Sequence, residues 1–323
     1  MIKLGIIACS NGMGHISRSI KLASYLCKYY SVHIITNKKK FNKLNVNKKI
    51  KLIDSKKALN VNLKKKKYDQ NWPEKIKRKI KKANIKILIS DNLPEVVNLN
   101  LKCLIISNFF WHELWNIQNN EIQKTILKIK NNKVNIFRNV IFKNKKDKFI
   151  YFGFLGKPRK RVRHKKNLLI SFGSEDKTNK DISEQIKEFI KSNRKKYNIY
   201  LDKNYFNKDY LKKNIYIANY TENMFKKIDI AIIKPGFGIL QKCFEHDIYA
   251  ITFFEGLNYE FKANSKNLKK SKLGLSFKKF QKCLEVVKDK KIFKINYKNK
   301  YFSGEIQILK YLKQISNNHL ISN

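Results

Sequence analysis

The stretch IIKPGFGILQKCFEHDIYAITFF (232–254) decides the fold of this 323-residue chain. An apolar β-branched run stops at a proline and two glycines, a helical segment follows, and a second apolar run closes the stretch. This strand–glycine–helix junction repeats one made at the start of the chain. There MIKLGIIA runs into CSNGMGHISRS (9–19), and Gly12 and Gly14 precede a helix carrying Ile16, Ile20, Leu22 and Leu26. A backbone that turns tightly there exposes N–H groups at a helix start, an end that attracts anions and polar hydroxyls. A third loop, SFGSED (171–176), adds Gly173 and Ser174.

Between these junctions, short apolar runs alternate with lysine-rich amphipathic stretches. IKLGIIA, SVHIITN, KIKLIDS, IKILISD and LKCLIISN are the predicted strands of the first half; NLLISFGS, YNIYLD, NIYIAN, IDIAIIKPGFG, IYAITFF and GLSF are those of the second. Alternation of this kind predicts parallel α/β units, hence two Rossmann-like domains in series. The expected division is 1–155, a basic linker at 156–166, and 167–323, with a terminal helix over 304–315 packing back. Ligands of open α/β sheets sit at the carboxyl ends of the strands, so the loops are expected to line one cleft.

Composition bounds the function. The chain carries 72 Lys+Arg against 24 Asp+Glu, a formal charge of +48, with 42% hydrophobic residues. Much of that charge reads as solvated surface. The runs LKKKKYD (63–69), KIKRKIKK (75–82) and KPRKRVRHKK (157–166) would nonetheless be drawn to phosphates, and Trp72 amid lysines suggests seating at an anionic membrane surface. Nucleic acid is disfavoured as a partner, because no helix-turn-helix, RRM or zinc-finger pattern accompanies the charge. Five widely spaced cysteines without a C-x-x-C pair read as reduced core residues of a cytoplasmic protein. No apolar run reaches the ~18 residues of a membrane span.

The first glycine loop does not fit the NAD fingerprint, while NADP, whose 2′-phosphate could use the lysines after strand two, stays open as a minor alternative. Ser17 stands where the third glycine would fall, and Asn37-Lys38-Lys39-Lys40 follow strand two where NAD needs an acid. His15, on the first turn after the loop, is the unusual feature. An imidazole can accept the proton of an attacking hydroxyl at neutral pH. Asp91, ending the fourth predicted strand, is the candidate to orient it, and Glu113 is the reserve base. Arg18, one turn beyond His15, is a candidate for an anionic group or an exposed helix arginine.

In this order and at these spacings, NGMGHISRS, ILISDNLPE, CLIISNFFWHELW, SFGS and IIKPGFG…CFEH resemble the GT-B glycosyltransferases. The resemblance is strongest to those related to the lipid-linked N-acetylglucosaminyl transferase of peptidoglycan synthesis, and around Asn108–Trp115 to uncharacterised bacterial GT-B proteins. It covers nearly the whole chain. It implies an α/β GT-B fold and an inverting hexosyl- or N-acetylhexosaminyl-transferase of the cell envelope. It also implies a UDP-type nucleotide-sugar donor on the C-terminal domain, a hydroxyl acceptor, lipid-linked or glycan, on the N-terminal one, and no cofactor or obligatory metal; no D-x-D pair occurs. Carried over by position, Gly236, Phe237 and Gly238 with Gly173 and Ser174 would receive the donor diphosphate, and Gly12, Gly14, Arg18, Asn108 and Trp111 would lie on the acceptor side.

The chain departs from the family pattern at Lys242, where a ribose-gripping Glu is usual and where a cation cannot accept from hydroxyls. Glu245, a turn further on, is the candidate replacement. Glu260-Phe261 stands for the usual acidic–glutamine pair, and Asp247-Ile248-Tyr249 for glycine–x–proline. These departures keep open a nucleotide-sugar hydrolase or epimerase of the same fold, and a degenerate binding module.

Overall fold

The computed structural model describes residues 1–10, 13–62, 67–117, 119–143, 149–156, 167–172, 180–206, 214–256, 258–289 and 302–317. The chain divides into two compact units, one of residues 1–156 with 300–323 and the other of residues 157–299. Nearly all of the basic segment 156–166 and residues 63–66 of the lysine run lie outside the described residues.

Unit 1 runs β1 (Lys3–Ala8), α1 (Gly14–Leu26), β2 (Ser31–Thr36), α2 (Lys38–Phe41), β3 (Lys51–Asp54), an antiparallel pair β4 (Val61–Asn62) and β5 (Lys67–Tyr68), then α3 (Trp72–Lys82) and β6 (Ile87–Asp91). A 3-10 turn (Pro94–Leu99), β7 (Lys102–Ile106), α4 (Trp111–Trp115), α5 (Asn120–Asn131), β8 (Asn135–Asn139) and β9 (Ile150–Phe152) follow. Seven strands form one parallel sheet in the order β3-β2-β1-β6-β7-β8-β9. The central strands β1, β2 and β6 are largely apolar on both faces because both are covered. One face packs against α1, with Ile16, Ile20, Leu22 and Leu26 buried, each side chain stabilising the fold by about 1.5–3 kcal/mol. The other packs against α3 and the 3-10 turn. Trp72, expected at a membrane surface, is instead fully buried there, with its indole N–H donating to Glu95 Oε2 at 3.2 Å. With Ile76 and Ile80 it forms the apolar stripe of α3 at i, i+4 and i+8, so the lysines face outward together with Arg78 and Glu74.

Unit 2 runs β10 (Asn167–Ser171), α6 (Lys180–Asn193), β11 (Asn198–Leu201), β12 (Ile215–Ile217), α7 (Glu222–Lys227), β13 (Ile230–Ile233), α8 (Phe237–Glu245), β14 (Tyr249–Phe253), α9 (Tyr259–Lys270), β15 (Gly274–Phe277) and α10 (Phe280–Lys288). Its six parallel strands are ordered β12-β11-β10-β13-β14-β15. The core is closed by edge-on contacts of Phe172 with Phe253 and Phe280.

Both sheets share one logic. The chain builds outward from the first strand, then returns to its other side, so β1 lies beside β6 and β10 beside β13. The loops leaving these neighbours diverge, which opens a crevice at the carboxyl edge of each sheet.

The terminal helix α11 (Gly304–Asn317), which the sequence reading carries with 167–323, packs on unit 1. Gly304 N donates to Phe154 O at 3.0 Å, Gly153 N to Gln307 Oε1 at 2.9 Å, and Gly156 N to Glu305 Oε2 at 2.8 Å. A Cβ at Gly304 would run into the Gly153 carbonyl, so the latch requires glycine there. All five cysteines are free thiols. Among the described residues no helix is long and apolar enough to cross a membrane.

Candidate active site

In unit 1 the site grows from the register of two strands. Ala8, ending β1, pairs with Asp91, ending β6, so Asp91 lies at the switch point directly below the start of α1. His15, Arg18 and Ser19 sit at i, i+3 and i+4 on the first turns of that helix and so share the face turned to Asp91. His15 Nδ1 is 3.0 Å from Asp91 Oδ1; Arg18 Nε donates to Asp91 Oδ2 at 3.1 Å and its Nη2 to Oδ1; Ser19 Oγ donates to Oδ2 at 3.3 Å. Asp91 is 2% exposed. Burial pushes its pKa up, but the charges of Arg18 and His15 outweigh that and hold it down at about 2. The carboxylate is therefore ionised and fully engaged. It is an orienting group, and Arg18, read from sequence as facing an anionic ligand or solvent, is the counterion of Asp91.

The shorter of two contacts at Nδ1 favours one tautomer. Arg18 Nη2 approaches His15 Nδ1 at 3.2 Å and could donate to it. An unprotonated Nδ1 only 3.0 Å from a carboxylate oxygen would, however, oppose two lone pairs. Nδ1–H donating to Asp91 removes that repulsion and leaves Nε2 as the basic nitrogen.

The other acceptor-side candidates divide. Gly14 is the exposed first residue of α1; Gly12 and the Trp111 side chain lie outside the described residues. Asn108 Oδ1 accepts from Asn139 N at 3.1 Å and ties the loop after β7 to β8. Glu113, the reserve base, accepts from Phe110 N at 3.0 Å and from Arg138 Nη2 at 3.3 Å, so it caps α4 and pairs with an arginine. His112 was missed by the sequence reading. It is buried, stacked on Phe110, and kept neutral by that burial.

In unit 2, Gly173 and Ser174 lie outside the described residues, and the loop after β13 defines the site. Lys234 N continues the ladder to Ser171 O at 3.1 Å, Gly236 N turns back to Lys234 O at 2.8 Å, and α8 begins at Phe237, which is buried. Gly238 is the second residue of α8, so its N–H belongs to the helix start. Asn264 on α9 fixes the loop, donating to Pro235 O at 2.7 Å. Among the described residues a Cβ built on Gly236 would meet nothing nearer than Ile239 Cγ2 at 4.0 Å. Lys234, also missed from sequence, is half-buried at its base, and burial lowers its pKa. A proline-glycine turn directly after a strand-ending lysine was the available signal.

Lys242 and Glu245 lie further along α8 and engage each other. The Lys242 ammonium pairs with Glu222 and, at 3.5 Å, with Glu245; Glu245, 4% exposed, also accepts from Gln241 Nε2 at 3.0 Å. His246 Nε2 lies 3.1 Å from Glu222. Ligand atoms of Glu222, Glu245 and His246 fall within 4.8 Å of one another, and the Lys242 ammonium supplies a positive charge to this cluster. Glu260 stands in the first turn of α9, where an acid suits the helix dipole.

No family model and no curated protein matches the sequence. Solved structures do match its fold. The glycotransferase of kitacinnamycin aligns with a TM-score of 0.62 at 12% identity, over 88% of this chain and 90% of that one. UGT2 of Phytolacca americana, complexed with UDP-2-fluoro-glucose and pterostilbene, gives 0.61 at 12% identity over 90% of each chain. SnogD from Streptomyces nogalater, a glycosyltransferase, gives 0.58 at 11% identity over 90% and 91%. The chain has the GT-B fold of these glycosyltransferases.

Proposed function

We propose that the chain is a metal-independent, inverting glycosyltransferase that moves a hexosyl or N-acetylhexosaminyl group from a UDP-type nucleotide sugar to a hydroxyl acceptor, lipid-linked or glycan. The observation that carries this reading is the His15–Asp91 pair at the switch point of unit 1. His15 Nε2 takes the proton of the attacking hydroxyl as its oxygen bonds to the anomeric carbon. The bond to the nucleoside diphosphate breaks with its electron pair on the departing phosphate. Asp91 stabilises the imidazolium so formed, and Arg18 and Ser19 hold Asp91. In unit 2 the loop at Gly236, the first N–H groups of α8 and the Lys234 ammonium would meet the diphosphate charge, in the absence of a cation or other cofactor.

A second reading, nucleotide-sugar binding without transfer, is favoured by one observation: Lys242 and Glu245 satisfy each other and Glu222. Incubation with UDP-, GDP- and TDP-sugars and a panel of hydroxyl acceptors separates the readings. Transfer product supports the first; free or altered sugar indicates a hydrolase or epimerase; binding with no product supports the second. The outward lysines of α3 support cytoplasmic association with an anionic membrane surface through charge alone.

A further inference from the structure

A cavity lined by residues of unit 1 lies away from this site. It has a volume of about 410 Å³ and sits at the amino edge of the sheet, where β7 and β8 begin. Along β7, four residues of ~3.3 Å rise separate Lys102, which lines it, from Ile106, which pairs with Asp91. The volume is in the range of small-molecule sites.

The chemistry of the lining selects a ligand class. Helical elements end around the cavity: the 3-10 turn at Asn100, α5 at Asn132, and α11 near Ile315. Their last carbonyls offer acceptors and a partial negative charge. Lys102 offsets part of this, its ammonium lying 3.4 Å from the Ile315 carbonyl, and Lys133 brings a second cation. No carboxylate lines the cavity among the described residues. Donors come from the amides of Asn132 and Asn135 and from Tyr311, whose phenol burial keeps protonated. Leu101 and Val134 supply an apolar floor. Donors and acceptors are thus mixed at close quarters, with Lys102 and Lys133 set against the partial negative ends of the helical elements. A net anion would face the helix carbonyl ends, and a cation the lysines. A group that both donates and accepts without net charge, carried on an apolar ring, satisfies the whole lining.

We propose that this cavity is a second binding site, for an uncharged saccharide unit. It does not depend on the reading of His15 and Asp91. The test is ligand-observed saturation-transfer NMR on the full chain with glucose, galactose and N-acetylglucosamine, with inorganic phosphate as the anion arm. Saccharide signal is expected in the parent. In the Asn132→Ala/Tyr311→Phe double variant, loss of two hydrogen bonds should weaken binding about tenfold. Each single variant gives the same reading, at about a few fold, if thermal melting shows the double variant unfolded. No saccharide signal with any of the three sugars, signal unchanged in the variants, or binding of phosphate alone would overturn the proposal.

Discussion

His15 Nδ1 stands 3.0 Å from Asp91 Oδ1, although 76 residues separate them in the chain. The contact exists because β1 and β6 are sheet neighbours in a register that pairs Ala8 with Asp91, and because α1 leaves β1 on the side of the β6 end. Arg18 completes it by gripping the same carboxylate at both oxygens. The arrangement fixes the imidazole and makes the buried carboxylate tolerable, so fold stability and proposed chemistry share one group.

Acidification should expose that sharing. The folded-state pKa of Asp91 is about 2, below its ordinary 3.8, so the pair contributes stability above pH 4 that is lost as pH falls toward 2. The contribution is roughly 2 kcal/mol at neutral pH. Urea unfolding at pH 5.5 and pH 2.5 should show a difference that is smaller by about this amount in Asp91→Asn. At neutral pH the variant should be less stable by about 3–5 kcal/mol, because Arg18 keeps a largely buried, unmatched charge. An Asp91→Asn protein as stable as its parent at pH 7 would contradict this account of the pair.

Gly304→Ala should loosen the terminal helix. The added methyl meets the Gly153 carbonyl and Phe152, at a cost of about 1–3 kcal/mol. Faster amide exchange in α11 and in residues 153–156, with α8 unchanged, is the expected pattern. Uniform exchange across both units would argue against a local latch.

Gly236→Val should leave the fold intact and damage ligand binding. Its φ of −68° and ψ of 133° suit a β-branched residue, and among the described residues the atom nearest the new Cβ is Ile239 Cγ2 at 4.0 Å. Calorimetry with UDP should show at least about tenfold weaker binding at an unchanged melting temperature. Unchanged UDP affinity would remove this loop from the proposed donor site.

Vesicle co-sedimentation checks the basic face of α3. With Trp72 buried, α3 presents no aromatic anchor, so recovery should require anionic lipid and fall as salt screens the lysines. Equal recovery on neutral vesicles, or none on either, would remove membrane association.

Much of this architecture was legible in the sequence, and the gaps have physical causes. The central strands of the unit 2 sheet, β10, β13 and β14, are apolar runs whose burial on both faces writes itself into composition. In unit 1, β8 reads NIFRN, with only Ile136 and Phe137 apolar, and β9 has three residues, so neither stood out. Trp72 was misread because lysines surround it in sequence, whereas helical spacing puts it with Ile76 and Ile80 on the other face. The Asp91 pairing with His15 could be anticipated from strand ends. The parts played by Arg18 and Glu113 could not, since each depends on a partner far away in the chain or on the path of a short cap. Lys242 illustrates the same limit: its residue type was plain, but its partner Glu222 belongs to another helix.

The measurement that bears most directly on the central claim is the turnover of His15→Ala with a donor and acceptor that the parent protein joins. Loss of the general base should lower kcat by about 10²–10⁴-fold, while the dissociation constant for the donor, held by the other unit, stays within about twofold. In the parent, kcat should rise with pH through one ionisation that the variant lacks. Full turnover by His15→Ala, with its pH profile unchanged, would contradict the assignment of His15 as the base.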